Sequence, residues 1–114
     1  MIDITENECE INETILKNHV YTKGIELFPL PENGAKDYDL NIDARYVWLD
    51  VSNSYIFSYE DNITTIYPIP YINPKNIMDS VSYVLDRVSN TIQIRTGTTG
   101  WDGYRAFIVV KYYK

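Results

Sequence analysis

Few side chains in this sequence belong to the types that move protons, attack carbonyls or hold metals. The one histidine, His19, stands in the polar stretch Lys17-Asn18-His19, which reads as a turn carrying a lone surface imidazole. A single histidine cannot form a multi-histidine metal site, and it is a poor start for a His-dependent triad. The one cysteine, Cys9, can neither close an intramolecular disulfide nor build a thiolate zinc site. Asp37, Asp39, Asn41 and Asp43 have the alternate spacing of a calcium loop. An EF-hand, however, needs glycine at its sixth position and glutamate at its twelfth, and here those places hold Ile42 and Trp48. Thr96-Gly97-Thr98-Thr99-Gly100 lacks the Gly-Lys-Ser/Thr ending of a phosphate loop and joins two expected strands, so it reads as a turn. Glu60-Asp61 lies beside a turn, where carboxylates are normally solvated. A glycosidase would need two carboxylates across a cleft, which spacing alone leaves open. The residues assign no catalytic, cofactor-binding or metal-binding role, and the sequence reads as a non-enzymatic protein.

Recognition is better supplied than catalysis. The chain has 11 tyrosines against three phenylalanines and two tryptophans. Such rings pack across strands, or they offer rigid amphipathic contact area to a ligand. Trp101 is the leading candidate contact, because it sits in the Gly-flanked loop GTTGWDG with Asp102 and Tyr104 close by. A loop indole beside a carboxylate suits stacking on a sugar ring, as in a lectin-like module. It equally suits anchoring the loop onto a core. Both readings stay open at this stage.

The elements that must position these residues are strands. At 114 residues the chain fits one domain with a core of its own. The formal net charge of −6 argues against a nucleic-acid partner. No apolar run is long enough to span a membrane, and the acidic start MIDITENECE does not resemble a signal peptide. Residues 1–16 hold Asp3, Glu6, Glu8, Glu10 and Glu13 without a base, so most of the net charge belongs to this leader. It reads as a solvated end or as an attachment segment, residues 1–12, that orders against a partner. Glu6, Glu8, Glu10 and Ile11 are the candidate attachment residues.

Residues 6–17 could form about two helical turns, but beyond them the dominant period is two. Expected strands cover Val20–Phe28, residues 36–43, Tyr46–Val51, Ser54–Tyr59, Ile63–Tyr67, Asp79–Asp86, Thr91–Thr96 and Tyr104–Tyr112. Pro68, Pro70 and Pro74 mark an extended connector or edge. About seven or eight short strands with turns every ~8–12 residues point to an all-β fold, an antiparallel sandwich of jelly-roll-like type or a small barrel. The last three strands look like a meander of consecutive hairpins. The final one is apolar on both faces around Ala106–Val110, as a strand deep in a core or at a subunit contact would be.

The order of segments resembles a module at the C-terminal ends of bacteriophage tail fibres, head fibres and related receptor-binding proteins. The likeness runs from E-T-I-L-K-N-H-V-Y-T-K-G-I, starting at Glu13, through F-P-L-P-E-N-G, Y-V-W-L-D and I-Y-P-I-P-Y-I-N-P. It ends in S-V-S-Y-V-L-D, T-I-Q-I-R-T-G-T and Y-R-A-F-I-V-V-K-Y-Y-K. Tyr104, Ala106, Phe107, Val109 and Lys111–Lys114 are similar to that family's closing run. The resemblance covers residues 13–114 and implies a β-sandwich, usually homotrimeric, located in the virion and contacting the host surface, often its glycans. Family members usually carry the module behind a long shaft. Here it begins soon after Met1, which points to a head-fibre, decoration or adaptor protein docked through its N-terminal segment. No binding residue carries over by motif.

Overall fold

The period-two segments become two antiparallel sheets packed face to face. The computed structural model describes residues 8–13, 18–60 and 62–113. In chain order the strands are β1 (Glu8–Glu13), β2 (Asn18–Leu27), β3 (Gly34–Asp39), β4 (Tyr46–Leu49), β5 (Tyr55–Phe57), β6 (Tyr67–Pro68), β7 (Tyr71–Ile72), β8 (Ser80–Asp86), β9 (Thr91–Thr96) and β10 (Arg105–Tyr113). A single 3-10 turn, Val51–Asn53, separates β4 from β5. The larger sheet runs β1-β2-β10-β5-β6, with β4 also paired to β10, and the smaller runs β3-β9-β8-β7. Every pairing is antiparallel. The fold is an all-β sandwich.

The core is the set of inward-facing positions. Ala106, Ile108, Val110 and Tyr112 of β10 meet Ile92 and Ile94 of β9, Val81 of β8 and Ile56 of β5, all fully buried. Tyr112 stacks on Tyr21 with ring centroids 5.8 Å apart. The strand expected over residues 36–43 ends at Asp39, and Asn41 turns left-handed at φ 54°, yet the inward–outward alternation continues past it. Leu40 is buried and Tyr38 and Ile42 pack against the core, while Asp37, Asp39 and Asp43 stay exposed. Asp37 accepts a hydrogen bond from the Gln93 amide at 3.0 Å, and Asp39 accepts one from the Asn41 backbone N–H at 2.8 Å. These carboxylates serve local structure.

Three elements differ from their sequence expectations. The helical turns expected in residues 6–17 give way to β1, whose six residues pair with β2 from Glu8↔Lys23 to Glu13↔Asn18. Residue 12, the expected end of the attachment segment, therefore lies inside a strand, and His19 lies in β2 instead of a turn. Tertiary pairing overrode a weak local period. The strand expected at Ile63–Tyr67 shrinks to Tyr67–Pro68, because the chain switches sheets at Ile69-Pro70, whose peptide bond is cis. The meander also fails at its last step. β8 and β9 form a hairpin, but β10 crosses to the larger sheet. A strand with apolar residues on both faces is best satisfied in the middle of a sheet, paired on both edges.

That central position creates one local problem. β10 pairs with β5 over Arg105–Phe107 and with β4 over Val110–Tyr113, leaving a gap opposite Ile108 and Val109. The segment Asp50–Ser54 fills it. The Asp50 N–H donates to the Val109 carbonyl at 2.8 Å, and the Val109 N–H donates to the Ser54 hydroxyl oxygen at 2.9 Å. The Ser54 hydroxyl in turn donates to the Asp50 carbonyl at 2.8 Å. Burial works to raise the Asp50 carboxyl, but hydrogen bonds from Asn53 and Ser52 and the Lys111 ammonium outweigh it and hold the group below its ordinary range. Val109 is only 2% exposed, so water cannot replace Ser54 as acceptor. Ser54→Ala is expected to destabilise the fold by about 1–3 kcal/mol, the cost of an orphaned buried N–H. Urea unfolding checks this, and an unchanged midpoint would show that Ser54 does not carry the bond.

Candidate functional site

Two regions combine exposure with organised chemistry. The first is a cleft at one end of the sandwich, where the β6–β7 corner meets the loops before β8 and after β9. Tyr67, Asp79, Thr99, Gly100, Trp101 and Tyr104 line it around a volume of about 170 Å³. Its floor is a packed block of rings. Tyr67 stands 4.7 Å from Tyr71 and 5.5 Å from Trp101, centroid to centroid, and Trp101 stands 5.0 Å from Tyr104. Most of these contacts are edge-on or tilted, the arrangement that aromatic quadrupoles favour.

Trp101 is 5% exposed and belongs to the core cluster. The indole therefore anchors the Gly97–Gly103 loop, and its face is covered by neighbouring rings. Its N–H is buried without a hydrogen-bond partner. Tyr104 lines the same cleft, so the structure brings together two of the three loop residues singled out from sequence. Asp102 is exposed and does not line the cleft. The carboxylate that does is Asp79, from the loop before β8. Asp79 accepts hydrogen bonds from the Thr98 hydroxyl at 3.1 Å and from the Asn73 amide at 3.2 Å, so both of its oxygens are oriented. Sequence reading missed Asp79, Tyr67 and Tyr71, which lie far from Trp101 along the chain. The one local signal for the two tyrosines was the Tyr/Pro-rich run IYPIPYINP, and Asp79 lies outside it.

The loop backbone is held at close range. Gly97 donates its N–H to the Ser80 carbonyl at 3.2 Å, and a Cβ added there would fall 2.0 Å from the Met78 carbonyl oxygen. Gly100 has φ +97° and donates its N–H to Glu32 at 3.1 Å. The electrostatics are one-sided, since among the described residues no basic side chain lines the cleft. Desolvation, then the Asp79 charge and the Tyr67 phenol, push the Tyr71 phenol above its ordinary value. Burial, followed by the Tyr67 phenol and the Glu60 and Asp79 carboxylates, does the same to Tyr104.

The second region is the outer face of the larger sheet. Register places Arg105, Phe107, Val109, Lys111 and Tyr113 of β10 on it, with Tyr46, Trp48, Tyr55 and Phe57 from β4 and β5. Its rings form two clusters, one with Trp48 and Tyr113 at 5.5 Å, the other with Tyr55 and Phe107 at 5.5 Å and Phe57 and Tyr59 at 5.0 Å. The Arg105 guanidinium lies over Phe28 at 3.9 Å and Tyr59 at 4.7 Å, and it pairs with Glu26 at 2.9 Å. Phe28, Tyr46, Tyr55 and Tyr59 are exposed. The outer face of the smaller sheet is mostly polar by contrast, with Asp37, Asp86, Ser89, Thr91, Gln93 and the exposed Val84 around a shallow groove.

Of the candidate attachment residues, Glu8, Glu10 and Ile11 lie on β1, an edge strand, while Glu6 lies outside the described residues. Asp61 also lies outside them. Among the described residues, no three His, Cys, Asp or Glu side chains converge as metal ligands would. Comparison with protein-family models, curated protein sequences and solved structures gave no match.

Two outcomes follow from this geometry. Asp79→Asn is expected to lower the titration midpoints of Tyr71 and Tyr104 while leaving Tyr38, held at about 12 by burial alone, in place. Removing a nearby negative charge makes phenolate easier to form, so the sign is downward, and NMR titration of the tyrosine rings reads it. Gly97→Ala is expected to cost about 1–3 kcal/mol by overpacking against the Met78 backbone, measured by thermal or urea unfolding.

Proposed function

We propose that this chain is a non-enzymatic virion structural protein, a fibre or head-fibre module that assembles as a homotrimer and attaches the particle to a host surface. The observation that carries the reading is the aromatic outer face of the larger sheet. A single sandwich normally buries its apolar residues between its sheets and turns polar residues outward. Here one outer face largely does this and the other presents two clusters of rings, Tyr46–Trp48–Tyr113 and Tyr55–Phe57–Tyr59–Phe107, on either side of Val109 and Lys111. Contiguous apolar patches of that kind mark protein–protein contacts. The charges on the face are paired within the chain, Arg105 with Glu26 and Lys111 with Asp50 at 3.6 Å, so copies brought together there meet little net repulsion. The segment order shared with fibre modules supports the same assembly. Closed symmetry then gives each particle several equivalent sites whose weak contacts add through avidity.

The N-terminal segment supplies the join to a capsid or tail protein in this reading. An adaptor or decoration role differs in one respect, that a partner protein covers the aromatic face instead of further copies of this chain. Light scattering after size exclusion separates the two. A native mass near three times 13.3 kDa is expected, falling to the single-chain mass when Tyr46→Glu and Tyr55→Glu are combined. A monomeric wild-type chain would overturn the trimer and favour the adaptor.

A further inference from the structure

The cleft beside Trp101 has the chemistry of a ligand site, and we propose that it binds one neutral monosaccharide unit, the terminal residue of a surface glycan. This names what an attachment module would hold. It rests on the attachment reading for its biological role and on the cleft's own residues for its chemistry. Small-molecule sites combine ring surface with a few convergent polar groups, as this one does. Asp79 is fixed by Thr98 and Asn73, and each of its oxygens keeps lone-pair capacity for a further donor. The hydroxyls of Thr99, Tyr67 and Tyr104 belong to residues lining the same space, and each can donate as well as accept. A sugar's vicinal hydroxyls need this mixture. Trp101, whose N–H is buried without a protein acceptor, is itself one of the residues lining the cleft.

Charge narrows the class. With Asp79 in the wall, Glu60 acting on Tyr104, and no basic side chain among the described residues lining the cleft, an anionic sugar such as a uronate, or a phosphate ester, would be repelled. Ring geometry narrows it again. The four rings are packed against one another at 4.7–6.0 Å, which leaves no cage between them for a quaternary ammonium group. The ligand must lie over ring edges and against Asp79. A volume of about 170 Å³ holds one sugar ring and no extended chain. Glycan length would be read by avidity among copies, not by subsites within one copy.

The test uses the full chain, isotope-labelled, in which the two tryptophans give two separable indole N–H resonances assigned with Trp48→Phe. It is titrated with neutral hexoses, deoxyhexoses and N-acetylhexosamines, with glucuronate and choline as controls. The expected result is a saturable shift of the Trp101 resonance by at least one neutral sugar, with a Kd of order 1 mM, while Trp48 stays still. Asp79→Asn is expected to weaken that binding about tenfold or more, the scale of a lost hydrogen bond to a charged group. If Asp79→Asn disturbs folding, Tyr104→Phe removes a hydroxyl and keeps the ring, and it should also weaken binding. Silence of Trp101 toward every neutral sugar, a response to glucuronate or choline in their place, or binding indifferent to both variants would overturn the proposal. The readout is independent of native mass, so a monomer that binds sugar would sink the trimer and leave this inference standing.

Discussion

The backbone of Val109 is where the sandwich is most constrained. β10 is the axis of the larger sheet, with β2 along one edge and β4 and β5 along the other. Any break in that second edge exposes peptide groups inside a dry region. The chain breaks there, because β4 and β5 are separate strands joined by a 3-10 turn. The break is tolerated because Asp50 supplies an N–H and Ser54 a hydroxyl at the two points where a continuous strand would have supplied backbone. A buried unpaired N–H costs more than a typical hydrogen bond contributes, so one serine side chain carries unusual weight here. With the edge repaired, β10 can stay central, and its centrality fixes which residues reach the core and which are thrown onto the outer face.

That partition gives the molecule two unlike surfaces. Inward positions of β10 fill the space against β8 and β9. Outward positions join those of β4 and β5 in the two clusters of rings. Arg105 shows how such a face stays compatible with water. Its guanidinium is flattened between Phe28 and Tyr59 while Glu26 satisfies the charge, and Glu26 also accepts from the Tyr59 hydroxyl at 2.7 Å. The arrangement orders the rings, so less side-chain entropy remains to be lost when the face is covered.

The cleft depends on the same framework from the opposite direction. Because β10 leaves the smaller sheet, the chain between β9 and β10 must cross the end of the sandwich, and Trp101 pins that crossing onto the core. Pinning it there sets Tyr104 beside Tyr67 and Trp101 beside Tyr71, the two tyrosines standing on either side of the Ile69-Pro70 corner between the sheets. Asp79 arrives from a third segment, tied to the loop by Thr98 and to its own turn by Asn73. The site is thus a by-product of where the chain changes sheets.

Composition and alternation alone determined that this is an all-β fold, a sandwich or a small barrel, and placed most of its strands, because a period of two with β-branched and aromatic residues has few other stable outcomes. They also separated the inward from the outward residues of β3, β8, β9 and β10, and they singled out Trp101, Asp102 and Tyr104, of which Trp101 and Tyr104 line one cleft. They did not reveal β1, whose pairing with β2 is a long-range choice laid over an ambiguous local pattern. Nor did they show that β10 leaves its hairpin neighbours, since a strand carries the same alternation in whichever sheet it joins. Whether Trp101 faces solvent or core, and whether Asp102 or Asp79 is the carboxylate beside it, was settled only in three dimensions. Those answers depend on residues brought together from distant parts of the chain, and local spacing carries no record of that distance.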